Sequence, residues 1–144
     1  MEPVSTKELA SLIRDIVWRF GARGLENQCC RGLSSPEVRA LRIASEQRQC
    51  SMQEIARRLG FTKSGVTRVV DRLEKRGLVQ RMRSPEDGRV CCVEVAASGK
   101  TFIATVNQEN EQRIDKILSK IDPAMQHVVQ TSLQSFVQAM KEEG

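Results

Sequence analysis

The stretch that decides the fold is SMQEIARRLGFTKSGVTRVVDRLEKRGLVQR, which covers residues 51–81. Its first part predicts a short helix over residues 52–59. Ser51 followed by Glu54 is the pattern of a capping box, in which each side chain bonds to the backbone of the other residue at a helix start. Gly60 then predicts the end of this helix, because glycine readily adopts the left-handed conformation found there.

The second part of the stretch predicts a longer helix over residues 63–76. Thr62 is a typical N-cap residue, and Gly77 is a typical residue just past a helix end. Apolar residues recur at helical spacing on one face, at Val66, Val69, Val70 and Leu73. A short helix, a turn of a few residues and a second helix form a helix-turn-helix.

Polar and basic side chains cluster on the exposed side of the second helix, in its first two turns. The N-terminal residues of such a helix can reach base edges in the major groove of DNA. Hydroxyl groups can bond bases or phosphates, arginine can bind guanine through two hydrogen bonds, and lysine supplies charge. Gly65 would leave space for close approach to DNA; an ordinary solvated helix face is the alternative. The candidate DNA-binding residues here are Thr62, Lys63, Ser64, Thr67 and Arg68.

Two short strands joined by a basic loop follow the helix-turn-helix. Residues 78–81 and 90–95 read as strands, and MRSPEDGR between them is rich in turn formers. This order predicts a winged helix, in which arginine can enter the minor groove. Arg89 is the predicted tip residue, and Asp87 is placed to orient its guanidinium. Phosphate contacts are predicted for Arg81 and Arg83.

Positive charge is concentrated in the middle of the chain. Of the 144 residues, 40% are hydrophobic and 28% are charged, as in a globular domain. Residues 57–100 hold 11 Lys/Arg and 5 Asp/Glu, a net charge of +6, whereas residues 101–144 hold 4 and 6, a net charge of −2. This pattern is typical of a nucleic-acid-binding module, with a solvated basic face as the alternative. The chain shows neither an apolar run of roughly 18 residues nor a secretory leader, so we predict a cytoplasmic protein without a membrane partner.

Apolar faces in the flanking segments predict further helices. Apolar residues at helical spacing lie between residues 9 and 20, and this helix could continue towards residue 28. Ser34-Ser35-Pro36-Glu37 predicts the start of a helix that runs to about residue 45. A long helix ends at Asp122-Pro123, and a final amphipathic helix follows. These faces exceed what a small lobe needs, so a symmetric dimer would bury the remainder.

Residues 65–100, GVTRVVDRLEKRGLVQRMRSPEDGRVCCVEVAASGK, resemble the signature of MarR-type transcriptional regulators. The similar features are LEKRGLV at the end of the recognition helix, DGR in the wing and SGK at the next helix start. LSSPEVRAL, residues 33–41, also resembles the second helix of the family. The resemblance implies a homodimer that binds double-stranded DNA at a near-palindromic operator. Such proteins are usually repressors released by a small molecule or by oxidation.

The predicted fold class is therefore mainly α with a small β wing (α+β). It is a winged helix-turn-helix with N- and C-terminal dimerisation helices. Residues 1–144 are expected to form a single MarR-type domain. Within it, residues 34–97 would form the DNA-binding lobe, and residues 1–28 and 98–144 the dimerisation helices.

The five cysteines fall outside the family pattern. Their odd number, in a protein expected in the cytoplasm, argues against a disulfide framework. Cys29 and Cys30 lie between the first two helices, near the effector region that the resemblance implies, and Arg31 could stabilise a thiolate there. A thiophilic ligand or an oxidant would suit this pair as an effector, while buried apolar cysteines are the alternative. Cys91 and Cys92 share a strand and so point to opposite faces, with at least one of them packing. Cys50 lies beyond the second helix.

The sequence predicts no metal site, no cofactor and no enzymatic activity. It contains no Cys-x-x-Cys, and His127 is its one histidine, so a zinc site of the usual spacing is not visible. No Gly-rich phosphate loop or paired-carboxylate motif occurs. The alternative from another class is a thiol-based protein that binds a metal or an oxidant, or a thiol-based enzyme, without DNA binding. A catalytic cysteine would need a base nearby, and only His127 is an obvious candidate.

Overall fold

The computed structural model describes residues 1–20 and 31–144. Its mainly helical fold with a small antiparallel sheet confirms the predicted winged helix-turn-helix. The predicted continuation of the first helix towards residue 28 lies outside the described residues. In chain order the described elements are α1 (Thr6–Phe20), α2 (Ser35–Ser45), β1 (Cys50–Ser51), α3 (Met52–Leu59), α4 (Lys63–Lys75), β2 (Val79–Arg83), β3 (Cys91–Val95), α5 (Ala97–Leu118) and α6 (Pro123–Glu143).

A complete capping box starts α2, whereas the one predicted for α3 is only half formed. At α2 the Ser34 N–H donates to Glu37 Oε2 at 2.9 Å, and the Glu37 N–H donates to Ser34 Oγ at 3.4 Å. At α3 the Ser51 hydroxyl accepts from the Glu54 N–H at 3.1 Å. The Glu54 carboxylate, however, accepts two hydrogen bonds from Arg57, at 3.0 and 2.7 Å. An arginine one turn along the helix therefore takes the carboxylate that the capping box would use.

Left-handed glycines follow both helices of the helix-turn-helix, as predicted. Gly60 has a φ of 69° and Gly77 a φ of 72°. The Leu78 N–H donates to the Leu73 carbonyl at 3.0 Å, and the Gly77 N–H donates to Glu74 O at 2.9 Å. These bonds satisfy carbonyls at the end of α4, so the chain can leave the helix and enter β2.

The sheet has three antiparallel strands in the order β1-β3-β2. In the hairpin, Val79 pairs with Val95 and Arg83 pairs with Cys91. The two predicted strands are therefore confirmed, with limits shifted by one or two residues. The third strand, β1, pairs Cys50 with Val93 and was not predicted. Because it is two residues long, it carries no alternation that a sequence pattern could show.

The apolar core lies where α2, α3 and α4 meet the sheet. All four residues predicted to face inward on α4 are buried. Leu41 of α2 and Ile55 of α3 are among the largest fully buried side chains. Phe102 and Ile103 of α5 pack against this core. Because one face of α4 is buried, its polar residues must face outward.

A close backbone contact at Gly99 joins the start of α5 to the lobe. A Cβ at this position would lie 2.2 Å from the Leu78 carbonyl oxygen and 2.8 Å from Val95 Cγ1. Beside it, the Ser98 hydroxyl donates to the Gly77 carbonyl at 2.6 Å. The Ser-Gly pair therefore lets α5 begin directly against the end of α4 and the start of β2.

The chain packs as two compact units, Met1–Asn107 and Gln108–Gly144. The boundary falls inside α5, and the division into a lobe of residues 34–97 and flanking dimerisation helices stays a prediction. Neither α1 nor α6 has a buried residue among those described, and large apolar side chains such as Trp18 and Met140 are exposed. None of the described helices combines the length and the apolar character that crossing a bilayer requires.

We expect Gly99→Ala to lower the free energy of unfolding by about 1–3 kcal/mol, the usual cost of overpacking. The new methyl group would push against a backbone carbonyl, which cannot move aside as a flexible side chain can. The better helix propensity of alanine offsets at most about 1 kcal/mol of this. Urea unfolding followed by circular dichroism measures the change.

Gly88→Ala is the matched control, because a Cβ at Gly88 would have no atom within 4 Å. Its free energy of unfolding should stay within about 0.5 kcal/mol of the wild type. Equal stability of the two variants would contradict a close contact at Gly99.

Candidate nucleic-acid interface

A groove of about 820 Å³ lies between α4, the start of α3 and the β2–β3 hairpin. Five of its lining side chains are cationic, and none of those lining it is acidic. A groove of one charge sign between low-dielectric walls focuses the electric field and attracts a polyanion. The lining residues are Ser51, Met52, Gln53, Ala56, Arg57, Lys63, Val66, Thr67, Arg81, Arg83, Arg89, Val90 and Cys91.

The hydroxyl groups at the start of α4 differ in what remains available to a ligand. Thr62 Oγ1 accepts from the Gly65 N–H at 3.1 Å, which makes Thr62 the predicted N-cap. Thr67 Oγ1 donates to the Lys63 carbonyl at 2.8 Å, so its donor is used within the helix. Ser64 Oγ lies 3.2 Å from Thr62 Oγ1 and is exposed. Of the three hydroxyls, Ser64 keeps the most freedom to bond outward.

Gly65 faces the turn rather than open space. A Cβ there would lie 3.2 Å from Thr62 Oγ1 and 3.5 Å from Phe61 Cδ2. A side chain at Gly65 would therefore crowd the protein's own turn, and the expectation that Gly65 makes room for DNA stays a prediction. The small residue lets Phe61 and the N-cap threonine pack closely at the start of α4.

Three cations of the predicted site keep all their side-chain donors free. Lys63, Arg68 and Arg83 are exposed and make no side-chain hydrogen bond or ion pair with another residue in the described ranges. Lys63 and Arg68 project from the first two turns of α4, and Arg83 is the last residue of β2. These donors can bind phosphates or bases without breaking an internal contact.

Arg81 is different, because α4 occupies its guanidinium. Nη2 donates to the Thr67 carbonyl at 3.2 Å and to Asp71 Oδ1, and Nη1 lies 3.5 Å from Glu74 Oε1. The Arg81 backbone N–H also donates to Glu74 Oε2 at 3.0 Å. The phosphate contact predicted for Arg81 would have to compete with two carboxylates of its own chain.

Arg89 lies in the loop that joins β2 to β3, directly before Val90, with 93% of its side chain exposed. Its predicted position at the wing tip stays a prediction. Asp87 Oδ1 accepts from both the Arg89 backbone N–H, at 3.0 Å, and from Nε, at 3.3 Å. Ser84 closes the loop below them, since its N–H donates to the Val90 carbonyl at 2.9 Å and its hydroxyl accepts from the Asp87 N–H at 3.4 Å. Asp87 thus holds the arginine from one side and leaves its terminal nitrogens exposed.

Arg57 of α3 also lines the groove, although no sequence motif indicated it. Its guanidinium bonds to Glu54 and is 71% exposed. The hydrogen bonds from Arg57 hold the pKa of the Glu54 carboxyl below its ordinary value. The sequence signal for this groove residue was a basic side chain on the polar face of α3. The sequence did not show that the wing would lie opposite it.

Two arginines anchor α4 on its other side. Arg72 Nη1 bonds to the buried Glu37 carboxylate at 3.1 Å. The Arg76 guanidinium lies 5.7 Å from the centroid of the Phe102 ring, and its Nη1 donates to the Arg31 carbonyl at 3.1 Å. These contacts join the C-terminal end of α4 to α2 and α5. Arg72 and Arg76 therefore stabilise the position of the helix on the side away from the groove.

The described cysteines are free and lie in unlike surroundings. Cys50 and Cys92 are buried, whereas Cys91 is half-buried and lines the groove. Burial raises the pKa of the Cys50 thiol. Cys29 and Cys30, the predicted thiol-sensing pair, lie outside the described residues. Within residues 1–20 and 31–144, no three or more His, Cys, Asp or Glu side chains are grouped so as to hold a metal ion.

Residues 33–91, which contain the groove and the wing, match the sequence model of the MarR family. Residues 33–91 form a MarR-family domain. The resemblance found in the LEKRGLV and DGR motifs is confirmed. The chain is also similar to the HTH-type transcriptional regulator PapX of Escherichia coli, with 30% identity over 102 residues that cover 71% of this chain and 58% of PapX. Another curated relative, 26% identical over 98 residues, is likewise covered only in part, over 60% of its length.

Solved structures show the same fold along nearly the whole chain. A MarR family protein from Bacillus stearothermophilus is 24% identical, has a TM-score of 0.84, and is covered to 99%, with 98% of this chain matched. FabT of Streptococcus pneumoniae, solved in complex with DNA, is 17% identical with a TM-score of 0.75 and 96% of each chain matched. At these identities the likeness shows the fold alone.

We expect a thiol reagent such as DTNB to label Cys91 well before Cys50 and Cys92. A Cys29→Ser/Cys30→Ser background leaves these three thiols, and native protein should react at one of them and unfolded protein at all three. Because the pKa of Cys50 is raised in the folded protein, its protonated thiol stabilises the fold fully at a pH below the ordinary thiol pKa. This stabilisation is lost as the pH rises through the pKa of the folded state. Cys50 labelling at alkaline pH should therefore follow unfolding.

Mass spectrometry of the labelled peptides identifies which thiol has reacted. Cys91→Ser is the control, since it should remove the fast phase and leave the slow one unchanged. Equal labelling rates for Cys50 and Cys91 at neutral pH would contradict the burial of Cys50.

Proposed function

We propose that the protein is a sequence-specific, DNA-binding transcriptional regulator. The observation that carries this proposal is the groove between α4 and the wing, which is lined by five cationic side chains. Two of them, Lys63 and Arg83, make no internal ion pair in the described ranges, and Arg89 at the wing is 93% exposed. Electrostatic attraction of this kind supplies most of the affinity of a protein for the DNA backbone. PapX is a transcriptional regulator and FabT was solved with DNA, and both likenesses support the proposal.

In the proposed complex, α4 lies in the major groove and the wing reaches the minor groove. Arg68 is assigned to base edges because its donors are free, and Ser64 because its hydroxyl is exposed and contacts only Thr62 Oγ1. Lys63 and Arg83 are assigned to phosphates, and Arg89 to the minor groove with Asp87 holding it. Thr62 and Thr67 can offer lone pairs or methyl groups, since their hydroxyls already bond within α4.

A homodimer on a near-palindromic operator is the second part of the proposal. Large apolar side chains are exposed on the terminal helices, with Val17 at 60% exposure on α1 and Leu133 at 50% on α6. Several large apolar side chains left exposed on one helix are typical of an interaction surface. A two-fold dimer would present two lobes to half-sites one helical turn apart, about 34–36 Å along the DNA.

Repression that a small-molecule or thiol-reactive effector relieves is the third part. Its support is the family membership of the lobe, together with the adjacent Cys29 and Cys30 in the sequence. No observation on the described residues favours the other candidate, a thiol-based enzyme or metal-binding protein without DNA binding. Failure to enrich any duplex from a random pool would count against a DNA-binding regulator and for that class.

We expect Arg68→Ala and Arg89→Ala to weaken DNA binding by different routes. The measurement is selection of duplexes from a random pool, followed by titration of the enriched site at several salt concentrations. Arg68→Ala should cost about 1–3 kcal/mol at the selected site and blur one base position. Arg89→Ala should weaken binding and reduce the salt slope by about 1, because an inserted charge releases counterions.

Lys75→Ala is the matched control, since Lys75 is an exposed cation of the same helix but lies in its last turn, away from the first two turns that carry Arg68. It should retain wild-type specificity. If both test variants bound the selected site as tightly as the wild type, with folding intact, the assignment of α4 and the wing would be wrong.

Leu133→Glu should dissociate the proposed dimer, because it would bury an unpaired charge at the interface. Analytical ultracentrifugation at micromolar concentration measures the change. DNA affinity should fall with it, since two linked lobes bind far more tightly than one.

Thr131→Glu serves as the control, because two residues along an α-helix place it about 200° away, on the opposite face of α6. It adds the same charge and should leave the dimer intact. A wild-type monomer at micromolar concentration would contradict the dimer without affecting the groove.

A further inference from the structure

Arg81 has an environment unlike that of the other cations in the groove. Its guanidinium and backbone N–H together reach three residues of α4, namely Thr67, Asp71 and Glu74. These lie at positions i, i+4 and i+7 and so share one face of the helix. Arg83, two residues further along the same strand, is exposed and makes no such contact in the described chain.

The charges around Arg81 leave it little attraction for a phosphate. One guanidinium faces two carboxylates, so the cluster carries a net charge of −1 on the helix proposed to enter DNA. Two negative charges on such a helix would weaken DNA binding if they had no other role. Their presence is explained if the pair is needed to hold Arg81 in place.

The position of the cluster shows what it would hold. β2 is at the edge of the sheet and forms one side of the hairpin that ends in the wing. An edge strand leaves some backbone N–H groups without a partner strand. The backbone N–H of Arg81 donates instead to the Glu74 carboxylate. The two walls of the groove, α4 and the hairpin, are thus joined by both a side chain and a backbone bond of one residue.

We propose that Arg81 is a positioning residue that fixes the wing hairpin against the recognition helix and does not itself contact DNA. Reading two grooves at once requires a set distance between Arg68 on α4 and Arg89 on the wing. Contacts held by a rigid support reach that geometry more often than contacts on a mobile hairpin. The contacts of Arg81 with Thr67, Asp71 and Glu74 form a clamp between β2 and α4. Loss of this clamp would reduce specific binding to DNA more than nonspecific binding. This inference rests on the proposed DNA-binding function.

The test compares Arg81→Lys, Asp71→Asn and Arg83→Lys with the wild type. Lysine keeps the positive charge, but its compact ammonium cannot bridge the Thr67 carbonyl and both carboxylates as the planar guanidinium does. Arg81→Lys should bind the selected duplex about tenfold more weakly, a loss of about 1.4 kcal/mol. Its affinity for an unrelated duplex of equal length and its salt slope should stay unchanged. Arg83→Lys is the matched comparison at a proposed phosphate contact, so any loss of affinity there should be the same factor for both duplexes.

Asp71→Asn provides the sharpest outcome, because two explanations predict opposite signs. Removing a negative charge near DNA would by itself tighten binding to both duplexes. Loss of the clamp would weaken binding to the selected duplex alone. Wild-type binding by Arg81→Lys, as a phosphate contact predicts, or tighter binding by Asp71→Asn on both duplexes would overturn the proposal.

Hydrogen exchange of the free protein separates this inference from the proposed function. The amides of β2 should exchange faster in Arg81→Lys and Asp71→Asn than in the wild type, and Arg83→Lys should match the wild type. Equal exchange in all four proteins would overturn the clamp whether or not DNA binds. Failure of the wild type to enrich any duplex would overturn the proposed function. The exchange rates of the β2 amides would then decide alone whether Arg81 holds the hairpin. If Arg81→Lys did not fold, Asp71→Asn would supply both measurements.

Discussion

Val66, Val70 and Leu73 bury one face of α4 in the core formed with α2, α3 and the sheet. Each such side chain contributes about 1.5–3 kcal/mol when it leaves water. Because an α-helix turns 100° per residue, burying this face sets the rotation of the helix. Lys63 and Arg68 then face outward without any contact that directs them. The charge presented by the proposed DNA-binding surface is therefore a consequence of apolar packing on its opposite side.

Around this helix, the arginines divide into those that hold the structure and those that remain available. Arg58 pairs with Glu46, Arg72 with Glu37, and Arg81 with Asp71 and Glu74. Ion pairs between exposed side chains, such as Arg58 with Glu46, contribute little to stability, whereas the Glu37 carboxylate is buried. Their value lies in where they place the elements they connect. The net positive charge of the segment consequently overstates the number of cations that a phosphate backbone can reach.

Helix α5 begins with a close backbone contact that only glycine allows. Its first turn lies against Leu78 at Gly99, and its Val106 is still buried. The boundary between the two compact units follows one residue later, after Asn107. Residues on both sides of this boundary belong to α5, which spans Ala97–Leu118.

Local signals in the sequence determined the helix-turn-helix and the class of the fold. Ser51, Gly60, Thr62 and Gly77 act within one helical turn, so their effects on α3 and α4 need no knowledge of the remaining chain. The inward face of α4 was also predictable, because its period of 3.6 is a property of the helix itself. Asp87 and Arg89 are two residues apart, which is why their contact could be expected from sequence.

The tertiary structure decided the features that depend on distant partners. β1 is too short for a pattern and forms only because β3 lies beside it. A Cβ at Gly65 would crowd Thr62 and Phe61 of the turn, a contact that the sequence pattern did not indicate. Arg81 and Arg83 look alike in the sequence, and folding of the hairpin onto α4 brings Asp71 and Glu74 to one of them alone. A sequence shows where charges occur along the chain, whereas the free or paired state of each charge depends on which elements pack together.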